Sequence, residues 1–69
     1  MSSINVELNG SPIQLPTGAV ISDLILSLDL VNTRLAVEVN EQIIPGSQHA
    51  HYRLQQNDKI EVVTAIGGG

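Results

Sequence analysis

A chain of 69 residues, 42% of them hydrophobic, allows one domain near the lower limit of what folds alone. It has no cysteine and one aromatic residue, Tyr52, which excludes disulfides, thiolate metal sites and a cysteine nucleophile and requires an aliphatic core. Three basic residues (Arg34, Arg53, Lys59) against seven acidic ones give a net charge of −4, which argues against nucleic acid and anionic membranes as partners and favours basic protein surfaces.

Met1 to Glu7 lacks the positive and apolar regions of a signal peptide, and no apolar run has the length of a transmembrane helix. A soluble, cytoplasmic domain is expected. Ile4, Val6 and Leu8 alternate with Asn5, Glu7 and Asn9, the period-2 pattern of a half-buried strand. Asn9-Gly10 supplies the positive φ angles of a tight hairpin turn. The return strand, Pro12 to Leu15, turns Ile13 and Leu15 inward, and Pro12 assigns it to a sheet edge. After Pro16-Thr17-Gly18 the period changes. Ile21, Leu24, Ile25 and Leu28 form one apolar stripe, predicting a helix over 20–29 with Ser22 and Asp23 near its start and Asn32 as a left-handed C-cap.

Alternation resumes at Leu35, Val37 and Val39, with Glu38 facing out. Asn40-Glu41 reads as a turn before a short strand, Gln42 to Ile44, stopped by Pro45-Gly46. Residues 47–56 read as a loop with at most one helical turn, Asn57-Asp58 as a turn, and Lys59 to Thr64 as the last strand with Ile60 and Val62 inward. The order β-β-α-β-β-β is most economically one sheet covered on one face by one helix. Ala36, Val63 and Ile66 are left for an exposed apolar patch on the other face or beyond the sheet edge.

Side chains offer little chemistry. His49 and His51 lack further ligands at metal-site spacing and read as two solvated loop histidines. The serines have no nucleophile elbow or matching base, and Asp23 and Asp29 lie on different helix faces, as solvated charges do. A single sheet with one helix leaves little room for a substrate cavity. The chain does not read as an enzyme by itself. Its end is different: Gly67-Gly68-Gly69 follows the last strand with only Ala65-Ile66 between. Three glycines add nothing to a core. They form a flexible thread without side chains, able to place an unhindered carboxylate in a narrow channel of another protein.

The element order with its glycine end resembles the ubiquitin-like β-grasp fold, and more closely the sulfur-carrier family of thiamine (thiazole) biosynthesis. The resemblance spans the chain. It rests on Asn9-Gly10, Ser22-Asp23-Leu24-Ile25 with Leu28, and Ala36 to Asn40 running into Ile43-Ile44-Pro45. Asn57 to Val63 and Ala65-Ile66-Gly67-Gly68-Gly69 complete it. Gly46 and Asn57 depart from the family, which often has a basic residue and a glycine turn there.

The resemblance implies an α+β domain over 1–66, a mixed sheet of four to five strands on one helix, and a tail over 67–69. It also implies a mechanism. An adenylyltransferase related to ubiquitin-activating enzymes uses Mg-ATP to convert the Gly69 carboxylate to an acyl-adenylate. A persulfide sulfur displaces AMP, and the resulting thiocarboxylate gives its sulfur to thiazole synthase. Gly67 and Gly68 would thread into both partners, while Val63 and Ile66, with acidic neighbours such as Glu61, would dock them. No cofactor is expected on the chain itself. Two other readings are the small subunit of molybdopterin synthase, also a sulfur carrier, and a ubiquitin-like adaptor domain without tail chemistry.

Overall fold

The segments with period-2 alternation become strands. The computed structural model describes residues 2–65. It contains β1 (Ser3–Leu8), β2 (Ser11–Pro16), α1 (Ile21–Ser27), β3 (Leu35–Val39), β4 (Gln42–Ile44), a single 3-10 turn (Gly46–Gln48) and β5 (Lys59–Thr64). The strands form one mixed sheet in the order β2-β1-β5-β3-β4. β5 is central, parallel to β1 and antiparallel to β3. This is the β-grasp arrangement expected above, with five strands. Pro12 and Pro16 lie on the edge strand β2, where a missing N–H costs no ladder bond.

The inner face of the sheet presents Ile4, Val6, Val37, Val39, Ile60 and Val62 to Ile21, Leu24 and Ile25 of α1. Leu8, Ile13, Leu15 and Leu35, also expected inward, are partly buried against this core. Ala19, Ile44 and Leu54 are buried as well, although periodicity did not assign them. Leu54 lies in the segment expected to be a polar loop and is only 2% exposed. Burying its side chain contributes about 1.5–3 kcal/mol, enough to fix an irregular segment against the core.

That segment also completes the helix N-terminus. The Ile21 and Ser22 amides donate to the Tyr52 and His49 carbonyls at 3.1 and 3.0 Å, and the Val20 amide donates to Asp23 Oδ2 at 2.9 Å. The N–H groups that α1 cannot satisfy internally are therefore paired. At the other end the helix is shorter than the expected 20–29. Leu30 N donates to Ile25 O and Asp29 N to Leu26 O, a Schellman closure with Leu30 folded back against the core. The left-handed residue is Asp29 (φ 60), rather than Asn32. Leu28 caps the helix and is 37% exposed, so it drops out of the buried stripe.

Two expectations about departures from the family resolve simply. Asn57 adopts φ 71, a left-handed conformation that asparagine tolerates better than most residues. A Cβ added at Gly46 would meet nothing within 4 Å, so that position neither requires glycine nor excludes a side chain. No helix among the described residues is long and apolar enough to cross a membrane.

Candidate functional site

The strand that leads to the glycines is central in the sheet and paired on both sides. β1 ends at Leu8, yet β5 continues beyond it, and the Asn9 side chain fills the gap in the ladder. Its Oδ1 accepts the Val62 amide at 2.9 Å and its Nδ2 donates to the Val62 carbonyl at 3.3 Å, as a backbone neighbour would. Asn9 is left-handed (φ 48), so its side-chain amide makes these bonds while its backbone starts the hairpin turn. On the opposite side, Asn40 (φ 51) acts similarly. Its backbone amide donates to the Lys59 carbonyl at 2.8 Å, and its Oδ1 accepts the Lys59 amide at 3.0 Å. Asn40 Nδ2 in turn donates to Asp58 Oδ1 at 3.0 Å, and Asp58 Oδ2 accepts the Gln55 amide at 2.8 Å. Asp58 is buried, and these bonds satisfy it.

Pairing persists to the end of the strand. Beyond Leu35 opposite Thr64, the Ala65 amide donates to the Arg34 carbonyl at 2.9 Å. The last described residue is thus laddered to its neighbour. Ile66, Gly67, Gly68 and Gly69, expected to dock and to carry the chemistry, lie outside the described residues.

Alternation places Lys59, Glu61 and Val63 of β5 on the outer face, away from α1. The register sets Val63 opposite Ala36 and Glu61 opposite Glu38. Glu38 in turn faces Ile43 of β4. Val63 and Ile43 are 62% and 72% exposed; Val63 adjoins Ala36 on this face, while Ile43 lies two strands away with Glu38 between. Glu61 and Glu38 border the Val63 and Ala36 pair, and a shallow groove beside them is lined by Glu7, Glu41, Lys59 and Val63 among others. Like charges directly opposite across two strands are destabilising. The Glu38–Glu61 pair therefore works against sheet stability, whereas it suits a face that meets a basic partner.

One of the two histidines differs from its expected solvated state. His51 is exposed, but His49 is half-buried, with Nε2 2.9 Å from the Ile44 carbonyl while its own carbonyl accepts from Ser22. His49 is a tie between β4 and the helix N-terminus. Among the described residues no three His, Asp or Glu side chains converge as a metal-ligand set. Asp29 is not a helix-face charge at all but the residue that ends the helix. Ile43 and Arg34 were not singled out by sequence reasoning. Arg34, exposed just before β3, lines a hollow with Ala36 and Val63 of the outer face and a second one with Ile25, Leu30 and His49.

A β-grasp sheet with its C-terminal strand locked at the centre and an acidic, apolar outer face defines a ubiquitin-like carrier or binding domain. Residues 3–69 match the family model described as "ThiS family". The chain belongs to the ThiS family. It is 29% identical over 66 residues to the sulfur carrier protein ThiS of Escherichia coli, covering 96% of this chain and all of that one. It is 33% identical over 66 residues to a thiazole synthase of Magnetococcus marinus, covering 96% of this chain and 20% of that protein. The crystal structure of the thiamine biosynthesis protein ThiS from Geobacter metallireducens superposes with a TM-score of 0.80 at 20% identity. The match covers 96% of this chain and all of that one, and it shows the fold.

Proposed function

We propose that this protein carries sulfur for thiazole formation in thiamine biosynthesis, as a co-substrate of other enzymes and not as a catalyst. The Gly69 carboxylate attacks the α-phosphate of Mg-ATP in an adenylyltransferase, forming an acyl-adenylate and releasing pyrophosphate. A persulfide sulfur of a donor protein attacks the acyl carbon and expels AMP. A thiol then supplies two electrons to cleave the resulting acyl disulfide, leaving the thiocarboxylate on Gly69. That anion is a better nucleophile than a carboxylate and delivers sulfur to thiazole synthase. Mg-ATP belongs to the partner enzyme.

The observation that carries this reading is the fixed root of the tail. β5 sits at the centre of the sheet, stitched by Asn9 and Asn40 and paired as far as Ala65. Four residues from a fixed root reach at most about 14 Å when fully extended. A partner must therefore dock beside the end of β5 to engage Gly69, where Val63 is exposed, with Glu61 and Ile43 farther along the same face. The relative named thiazole synthase supports the pairing, because it includes a segment similar to nearly all of this chain. Gly67 and Gly68 allow passage through a channel too narrow for side chains.

Adenylation can be followed as carrier-dependent exchange of pyrophosphate into ATP by the adenylyltransferase. The full chain supports exchange, and removal of Gly69 alone abolishes it without changing the melting temperature. An adaptor without tail chemistry would support no exchange in either form. Sulfur transfer from the thiocarboxylate to a pterin precursor held by the large subunit of molybdopterin synthase, and not to thiazole synthase, would assign the other carrier pathway.

A further inference from the structure

The outer strip of β3 and β5 is polar in direction as well as composition. Arg34 shares a hollow with Ala36, Val63, Thr64 and Ala65, at the Ala65 end of the strip. The strip then runs through the apolar pair Ala36 and Val63 to the carboxylates Glu38 and Glu61. Four residues of strand separate Arg34 from Glu38, roughly 13 Å at 3.3 Å per residue. That exceeds the Debye length of about 8 Å at physiological salt, so the cation is not masked by those carboxylates. Arg34 is one of three basic residues in the chain. Of the others, Lys59 lies at the far end of the strip, and Arg53 pairs with Val20 beside the helix N-terminus.

Apolar contact is non-directional and cannot choose which end of the strip faces an active site. The choice matters. From Lys59 to Ala65 the strip is about 20 Å long, whereas the tail reaches at most about 14 Å. A partner docked in the reverse direction would leave Gly69 out of reach of its reacting atoms. Charge asymmetry along the strip removes this ambiguity, because like charges brought together in the reversed pose are strongly unfavourable.

We propose that Arg34 is the orienting contact of the docking face. Its guanidinium pairs with a carboxylate beside the channel mouth of the adenylyltransferase, while Glu38 and Glu61 meet basic residues farther from that mouth. Arg34 is thus a positioning residue that sets the direction of docking, and the proposal rests on the carrier reading above.

The test is adenylation kinetics of the full chain with Arg34→Glu, Arg34→Lys and Arg53→Glu. Arg53→Glu changes net charge as Arg34→Glu does, but away from the strip. Arg34→Glu lowers kcat/KM roughly tenfold or more, mainly through KM, and the loss shrinks as salt rises. Arg34→Lys restores most of the rate and Arg53→Glu leaves it within twofold, all three variants melting like the parent chain. Equal loss from Arg34→Glu and Arg53→Glu would reduce the effect to net charge and overturn the proposal. So would an Arg34→Glu variant as active as the parent. If the parent chain itself is not adenylated, the carrier reading fails first and takes this proposal with it.

Discussion

Asparagine does three jobs at one position twice over in this chain. Asn9 and Asn40 each occupy the left-handed region, each begin a tight turn, and each bond β5 through the side-chain amide. The turn was legible in Asn9-Gly10 and at Asn40, since glycine and asparagine tolerate positive φ. The stitching was not, because it depends on β5 lying between β1 and β3, a long-range arrangement that local pattern does not encode. Replacing Asn9 separates the two roles. Asn9→Gly keeps the turn but leaves the Val62 amide and carbonyl without their partners, costing about 1 kcal/mol. Asn9→Ala adds left-handed strain of roughly 1 kcal/mol or more. Urea unfolding checks both values, and an Asn9→Gly midpoint equal to that of the parent would mean that the side-chain bonds contribute nothing.

At the scale of elements, legibility followed periodicity. The strands were readable because inward aliphatics alternate with polar residues, and even the edge position of β2 followed from Pro12. The helix was placed correctly but extended too far, since Leu28 and Asp29 continue the pattern of residue types past the point where the backbone turns. The 45–58 connection was least legible. Leu54 and Tyr52 pack on the core without a period, and the connection is held by the His49 and Tyr52 carbonyls accepting from α1, contacts between residues about 30 apart. Asp29 marks where this helix is poorly optimised. It is non-glycine in a left-handed C′ position, and its negative charge sits at the negative end of the helix dipole. Asp29→Gly relieves both and gives up some chain entropy, for a net gain of about 0.5 kcal/mol. The expected result is a higher urea midpoint at an unchanged m-value; an unchanged or lower midpoint would contradict it.

For the whole molecule, the two faces of the sheet serve different ends. The inner face and α1 supply the core, with Ile21, Leu24, Val37, Val39 and Ile60 nearly inaccessible to water. The outer face carries features that stability alone would not select: the opposed Glu38 and Glu61, the exposed Val63 and Ile43, and Arg34 at the root of the tail. An acidic chain with no thiol and little room for a pocket needs no side-chain chemistry if its reactive group is its own terminal carboxylate. The sequence made the glycines and Val63 legible as candidates, while the positions of Ile43 and Glu38 on the same face as Val63 emerged only once β4 and β5 were placed on either side of β3. The proposed site of the sulfur is the terminal carboxyl of Gly69. Intact-mass analysis of the chain after incubation with the adenylyltransferase, Mg-ATP, a persulfide donor and a thiol tests it most directly. The expected result is a mass gain equal to exchange of one oxygen for sulfur, confined by fragmentation to Gly69. An unchanged mass, with a partner enzyme that activates another member of the family under the same conditions, would contradict it.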